Sequence, residues 1–107
     1  MKSTVHLHPE AVVELEETVV WYEQRHPGLG RRFLTAVDAA IEGIQLWPKS
    51  APVWSVPTAS SVVIRRVPVR GFPYRIVYTL REGSIEVLAF AHDKRKPGYW
   101  RDRGAAT

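Results

Sequence analysis

The sequence predicts an α+β fold in which an antiparallel helical hairpin packs on one face of a small antiparallel sheet. Two segments of the N-terminal half, 9–25 and 29–47, have apolar residues at helical spacing and are separated by only a few residues. Three segments of the C-terminal half are rich in branched and aromatic residues and are joined by short turns. With a short strand before the first helix, the predicted order is β-α-α-β-β-β in one domain, residues 1–107.

The first helix is predicted to begin at His8-Pro9-Glu10, directly after a short strand at residues 3–7. Proline is tolerated in the first turn because its missing N–H would have no partner there, and Glu10 adds negative charge at the positive end of the helix dipole. The apolar residues at helical spacing predict one buried stripe, formed by Val12, Leu15, Val19 and Tyr22. His26-Pro27-Gly28 ends this helix near residue 25.

The second helix is predicted from about Leu29 to Trp47, because the residue before Pro48 avoids helical conformations. Its apolar face is formed by Phe33, Val37, Ala40, Ile41 and Ile44. Two helices joined by so few residues must lie antiparallel, as a helical hairpin. The proline-containing segment 48–61 predicts a loop, in which Val53-Trp54 could be loosely held.

Three strand-like segments follow, and short connections make them an antiparallel meander. They are Ser61–Val69, Tyr74–Leu80 and Ile85–His92. Arg81-Glu82-Gly83-Ser84 predicts a tight hairpin turn between the last two. The helices can cover only one face of such a sheet, so we expect the other face to be partly open.

Charge is distributed unevenly along the chain. Residues 1–50 contain five Lys/Arg and seven Asp/Glu, whereas residues 51–107 contain ten Lys/Arg and four Asp/Glu. A basic C-terminal half favours an anionic partner, although exposed arginines on strands would give the same count. The helix-spaced acids Glu10, Glu14 and Glu17 are interpreted as a solvated helix face.

Several classes of protein are disfavoured by what the sequence lacks. No cysteine is present, so disulfides, thiolate metal sites and cysteine nucleophiles are excluded. His6 and His8 have no evident third ligand, and Gly28-x-Gly30 does not follow a strand, so we expect neither a metal nor a nucleotide cofactor. No apolar run reaches the ~18 residues of a membrane span, and no signal peptide is recognisable. These features predict a cytoplasmic protein that does not interact with membranes.

The candidate catalytic residues lie near the open sheet face and in the segment after the last strand: His92, Arg95, Tyr99, Arg65 and Arg66. Guanidinium groups hold a phosphate bidentately, and a histidine near its working pH transfers protons, so these types suit metal-free RNA cleavage. Arg65 and Arg66 are adjacent on a strand, so only one of them can face the site. The candidates for binding nucleic acid or a protein partner are Arg75, Trp100, Arg101 and Arg103.

Each candidate also has a purely structural explanation, which the sequence leaves open. The alternatives are shielding of an exposed sheet edge by Arg65 or Arg66, a cross-hairpin pair of Arg75 with Glu86, a satisfied strand-end His92, and rim packing by Tyr99 and Trp100. The absence of a carboxylate cluster argues against a two-metal nuclease.

A series of short motifs extends over nearly the whole chain. It consists of His8-Pro9-Glu10-Ala11, Trp21-Tyr22, Pro27-Gly28-Leu29-Gly30-x-x-Phe33, Pro48, Arg65-Arg66 with Phe72-Pro73-Tyr74, Ile76 and Tyr78, and His92-x-x-Arg95-x-Pro97-x-Tyr99-Trp100-x-x-Arg103. In this order and spacing the chain resembles the RelE/ParE superfamily of bacterial type II toxin–antitoxin toxins. The resemblance implies the β-α-α-β-β-β fold and growth arrest whenever the toxin is free of its antitoxin. It also implies that the antitoxin, made from an adjacent gene, wraps the toxin with a helix or an extended segment.

The resemblance leaves the cellular target divided between two branches of the superfamily. ParE-like toxins are DNA gyrase inhibitors, whereas RelE-like toxins are ribosome-dependent mRNA endoribonucleases. In RelE-like toxins an arginine commonly follows the basic or histidine residue at the end of the last strand, with a tyrosine a few residues further on. His92 and Tyr99 match those positions, but Asp93 replaces the arginine. This replacement favours the ParE-like branch, with the RelE-like nuclease and a degenerate, non-toxic antitoxin-binding protein as alternatives. The tail after the last strand is the expected antitoxin-covered surface.

Overall fold

The computed structural model describes residues 3–54, 62–101 and 103, and it contains two helices and a five-stranded mixed sheet. The elements are β1 (Val5–Leu7), α1 (Pro9–Arg25), α2 (Leu29–Leu46), β2 (Val53–Trp54), β3 (Ile64–Pro68), β4 (Tyr74–Arg81) and β5 (Ser84–His92). The strand order in the sheet is β1-β5-β4-β3-β2. The predicted α+β class, with a helical hairpin against the sheet, is confirmed.

The sheet differs from the predicted antiparallel one in two respects. β1 pairs with β5 in parallel, because the helical hairpin and the meander bring the chain back beside β1 in the same direction. Val53–Trp54, within the predicted loop, forms a two-residue edge strand that pairs antiparallel with β3, whereas residues 55–61 of that loop lie outside the described part of the chain. The third strand starts at Ile64, and the predicted start at Ser61 lies outside the described residues.

The two helices form the predicted hairpin, and the connection between them is fixed by a side chain of the first helix. The Glu23 carboxylate accepts hydrogen bonds from the backbone N–H groups of Gly28 (2.9 Å) and Gly30 (3.0 Å), which lie at the start of α2. These bonds lower the pKa of Glu23. A methyl group on Gly30 would lie 2.7 Å from the Val19 carbonyl oxygen, so only glycine permits this close approach of the helices.

The main core lies between the helical hairpin and one face of the sheet. The predicted stripes of both helices face it, except that Ala11, rather than Val12, is fully buried at the start of α1. Phe33 and Tyr22 meet Phe72 and Tyr74 in a cluster of ring contacts at 5.0–6.3 Å between centroids. Such clusters of large aromatic rings bury much apolar area in a small domain.

The second face of the sheet, which was expected to be partly open, has its own smaller core. Val77 pairs with Ala89 while Tyr78 pairs with Val87, so Leu88 is an extra residue in β5. This β-bulge places both Leu88 and Ala89 in the second core. Trp100 from the chain after β5 covers this patch, together with Trp54 of β2.

Candidate functional site

The tail, residues 93–101 and 103, folds back against the sheet instead of extending into solvent. Trp100 is only 2% exposed, and its ring meets that of Trp54 edge-on, with 5.2 Å between centroids. Trp100 was a candidate for binding a partner, but its burial makes it a core residue in this structure. The rim-packing alternative describes it better.

Glu14 of α1 is the acidic centre of this region. Its carboxylate accepts hydrogen bonds from the Phe90 backbone N–H (3.1 Å), the Tyr99 hydroxyl (2.8 Å) and Arg103 Nη1 (3.0 Å). Arg95 Nη1 lies 3.8 Å from the same carboxylate, whose side chain is only 14% exposed. The interpretation of Glu14 as part of a solvated face is therefore wrong.

Glu14 and Arg103 form hydrogen bonds with the part of the β5 edge that extends beyond the end of β1. β1 has three residues and β5 has nine, so part of the β5 edge lies beyond the parallel ladder. Arg103 Nη1 donates to the Leu88 carbonyl oxygen at 3.0 Å, and Glu14 accepts from the Phe90 N–H. The two side chains thus satisfy backbone groups that would otherwise lack partners.

The environment of Tyr99 keeps its phenol neutral. Burial, the hydrogen bond to Glu14 and the negative charge of Glu14 raise the pKa of Tyr99 well above its usual range. The Arg95 guanidinium stacks on the Tyr99 ring, 3.8 Å from its centroid. Tyr99 is therefore a hydrogen-bond donor and a stacking platform, not a base.

Arg75 pairs with Asp93, not with Glu86 as the cross-hairpin alternative supposed. Arg75 Nε lies 3.3 Å from Asp93 Oδ1, and both side chains are more than two-fifths exposed. The strand register explains the difference, because Arg75 lies opposite Ala91. Glu86 lies opposite Thr79 and pairs instead with Arg81, at 3.7 Å.

The structure separates the two adjacent arginines of β3. Arg65 Nη1 donates to the carbonyl oxygens of Lys49 (3.0 Å) and Ala51 (2.7 Å), so it supports the chain after α2. Arg66 lies on the other face, beside Arg75 and Asp93. Burial and the nearby charge of Arg75 lower the pKa of Arg66. Neither arginine shields an exposed edge of the sheet, because β3 lies between β4 and β2.

His92 lies between two depressions of the surface. One is an aromatic groove of about 530 Å³, lined by residues that include Trp21, Tyr22, Tyr74 and Tyr99. The other is a polar cleft of about 350 Å³, lined by residues that include Arg66, Arg75, Asp93 and Arg95. His92 Nδ1 accepts a hydrogen bond from the Lys94 N–H at 3.0 Å, and the His92 ring contacts that of Tyr74.

Three arginines of the site are paired with acids of the same chain. Arg75, Arg95 and Arg103 each have a carboxylate within 4 Å, supplied by Asp93, Glu14 or Glu10. Arg101, the remaining binding candidate of the tail, lies 5.9 Å from the centroid of the Trp54 ring. Of the predicted residues, Arg66, Arg75, His92, Arg95 and the buried Trp100 line the polar cleft, whereas Arg65 does not.

Glu14 and Trp54 are the two residues of this region that sequence reasoning missed. A signal for Glu14 was available, because Ala11, Glu14 and Thr18 follow helical spacing along the buried side of α1. No comparable signal marked Trp54, which lies in a short segment between prolines. Within residues 3–54, 62–101 and 103, no group of three acidic or histidine side chains could hold a metal ion. The helices described are also too short or too polar to cross a bilayer.

Comparison with known proteins identifies the family. Residues 5–97 match the model of the family described as the ParE toxin of the type II toxin–antitoxin system, parDE. A search of curated proteins gave no match. The matched region extends from β1 through the helical hairpin and the meander to the polar cleft after β5. The chain therefore belongs to the ParE toxin family of type II toxin–antitoxin systems.

Proposed function

We propose that this toxin arrests growth by inhibiting DNA gyrase and does not cut RNA. The observation that supports this most directly is the ion pair between Arg75 and Asp93 in the polar cleft. A carboxylate at this position repels a phosphate group by about 1 kcal/mol at ~4 Å even in water. Asp93 therefore opposes the binding of a phosphate in this cleft and occupies Arg75, one of the three arginines that line it.

The state of Tyr99 supports the same proposal. Its hydroxyl donates to Glu14 and is therefore engaged within the chain, and its raised pKa further disfavours the phenolate that a general base would need. Glu14 also lies 3.8 Å from Arg95, the cation that would have to replace the missing arginine of the RelE-like pattern. Arg95 is thus shared between Glu14 and the Tyr99 ring, and its charge is partly compensated before any substrate arrives.

A RelE-like endoribonuclease is the second candidate, and one observation favours it. Arg66, His92 and Arg95 line the same cleft, so a phosphate holder and a proton carrier are close together. A degenerate toxin, which only binds its antitoxin, is the third candidate. All three share the expected antitoxin partner, and both targets imply action in the cytoplasm.

The test compares two activities of the purified toxin. We expect inhibition of supercoiling by purified gyrase and no cuts in mRNA on translating ribosomes, read by primer extension. His92→Ala and Arg95→Ala are expected to retain growth arrest, as is the matched exposed control Lys96→Ala. If His92→Ala and Arg95→Ala fold normally but abolish both arrest and mRNA cleavage, the nuclease assignment is correct instead. Absence of arrest with antitoxin binding intact would establish the degenerate alternative.

A further inference from the structure

A third surface depression, a groove of about 740 Å³, lies along α2 and the turn between β3 and β4. It shares no lining residue with the aromatic groove or the polar cleft. Its apolar lining includes Leu29, Ala36, Ala40, Pro68 and Phe72. One wall is regular helix, and the other is a turn closed by the hydrogen bond from the Phe72 N–H to the Val69 carbonyl, so both walls are held by backbone hydrogen bonds of the chain.

Three arginines surround this apolar groove, and no acid lines it. They are Arg31 and Arg32 on α2 and Arg70 in the turn, all of them exposed. Arg31 lies close enough to Glu23 to help lower the pKa of that carboxyl. Arg32 and Arg70 have no ion pair with any residue in the described part of the chain. By contrast, the arginines nearest the polar cleft and Glu14, namely Arg75, Arg95 and Arg103, each have an acidic partner.

An apolar floor with unpaired guanidinium groups at its rim fits one kind of ligand best. A single-stranded RNA would use the arginines, but its bases stack best on aromatic rings, and Phe72 is the one aromatic residue among the described residues that line the groove. A peptide segment with apolar side chains on one face and carboxylates beside them satisfies both parts. Such a segment is an acidic amphipathic helix or strand.

We propose that this groove is the docking surface for an acidic amphipathic segment of the antitoxin. The proposal rests on membership of the toxin–antitoxin family, which supplies the protein partner. It moves the expected antitoxin surface from the tail, where Trp100 is buried and Arg95 and Arg103 pair with Glu14, to α2 and the β3–β4 turn. Nothing in it depends on whether gyrase or mRNA is the target.

The test measures the affinity of purified toxin for the fluorescently labelled antitoxin encoded beside its gene. The double variant Arg32→Glu/Arg70→Glu is expected to weaken binding by on the order of a hundredfold, because two attractive contacts become repulsive. The matched control is Lys94→Glu/Lys96→Glu, which makes the same change of net charge at exposed tail positions. The control is expected to weaken binding by less than about threefold, as rim charges remote from an interface do.

A steric variant tests the apolar floor separately from the charges. Ala39 is exposed and lines the groove, so Ala39→Trp is expected to fill it without disturbing the core. It should weaken antitoxin binding while the urea midpoint of the free toxin stays unchanged. On binding, amide protection from hydrogen exchange should rise at residues 68–72.

The outcomes separate this proposal from the one on gyrase. Equal loss of affinity in the groove and tail variants, or a larger loss in the tail variant, would overturn the docking assignment. Unchanged binding in both groove variants would also overturn it. A toxin that fails to inhibit gyrase, yet loses antitoxin binding only through the groove variants, would contradict the proposed target and support the docking surface.

Discussion

Arg103 Nη1 donates a hydrogen bond to Glu14 Oε1 at 3.0 Å, and both side chains also bind backbone groups of β5. The side chain of Arg103 is 11% exposed and that of Glu14 is 14% exposed, so the pair is largely removed from water. Removal of one partner would leave a poorly solvated charge behind. This pair joins the tail, the first helix and the sheet.

Glu14→Gln is expected to lower the free energy of unfolding by about 2–4 kcal/mol, because it leaves Arg103 with a weaker partner in a partly buried position. Amide exchange of Phe90 should accelerate, since that N–H donates to the altered group. Urea unfolding and hydrogen exchange measure the two effects. Glu16→Gln on the exposed side of α1 is the control, and equal losses in both variants would contradict the role given to Glu14.

Tyr99→Phe removes the hydroxyl that donates to Glu14 but keeps the ring beneath Arg95. A hydrogen bond to a charged group contributes about 1.5–3 kcal/mol, so we expect a loss of stability in that range. The measurement is urea unfolding at neutral pH. A loss no greater than that of a surface substitution would show that the hydroxyl is equally well bonded to water.

The raised pKa of Tyr99 also predicts a dependence of stability on pH. The folded protein holds the phenolic proton more tightly than the unfolded chain, whose tyrosines titrate near ~10. The stabilisation is therefore complete below that pH and is lost as the pH rises above it. The pKa values of Tyr22 and Tyr78 are also raised. The comparison of the parent protein with Tyr99→Phe therefore isolates the contribution of Tyr99. Identical alkaline unfolding curves would contradict the assignment.

Asp93→Asn is expected to release Arg75 and to strengthen binding of single-stranded RNA or heparin to the polar cleft. The salt dependence of binding should steepen by about one counterion. Asp38→Asn, on the exposed surface of α2, makes the same change of net charge and is the control. If both variants elute from heparin at the same salt concentration, then Asp93 does not specifically block the cleft.

Gly30→Ala is expected to destabilise the protein by about 1–3 kcal/mol, the usual cost of overpacking, because the added methyl group would meet the Val19 carbonyl. Gly43→Ala is a matched control on the same helix, since an added Cβ there meets nothing within 4 Å. That substitution should stabilise the protein by about 0.5–1 kcal/mol, because glycine is a poor helix former. Thermal unfolding of the two variants distinguishes close packing from a general effect of glycine.

The parts of the fold that depend on local periodicity and on short connections between elements could be predicted from the sequence. The helix stripes, the helical hairpin and the β4–β5 turn follow from the spacing of apolar residues and from proline and glycine positions. The parallel pairing of β1 with β5 was not predicted, because it depends on contacts between residues about eighty positions apart. The β-bulge at Leu88 was not predicted either, because Leu88 lies in a continuous apolar segment whose residues could face either side of the sheet.

The candidate site was predicted as a set of residue types, but not as a set of partners. The sequence predicts that Arg66, Arg75, His92 and Arg95 lie in one region, and in the structure all four line one cleft. The sequence alone did not predict that Glu14 and Asp93 are the acids that pair with these cations. Such pairings depend on strand register and on how the tail folds back, and neither property has a local pattern in the sequence.

The contact at Gly30 has a consequence for how the groove along α2 meets a partner. Because α1 and α2 touch there at backbone distance, the start of α2, which forms one wall of the groove, has no room to move towards α1. In the proposed complex the α2 wall therefore adds little conformational entropy to the cost of association, and we expect the antitoxin segment to bear most of it. Antitoxin variants would accordingly differ mainly in how long they remain bound, rather than in how fast they bind.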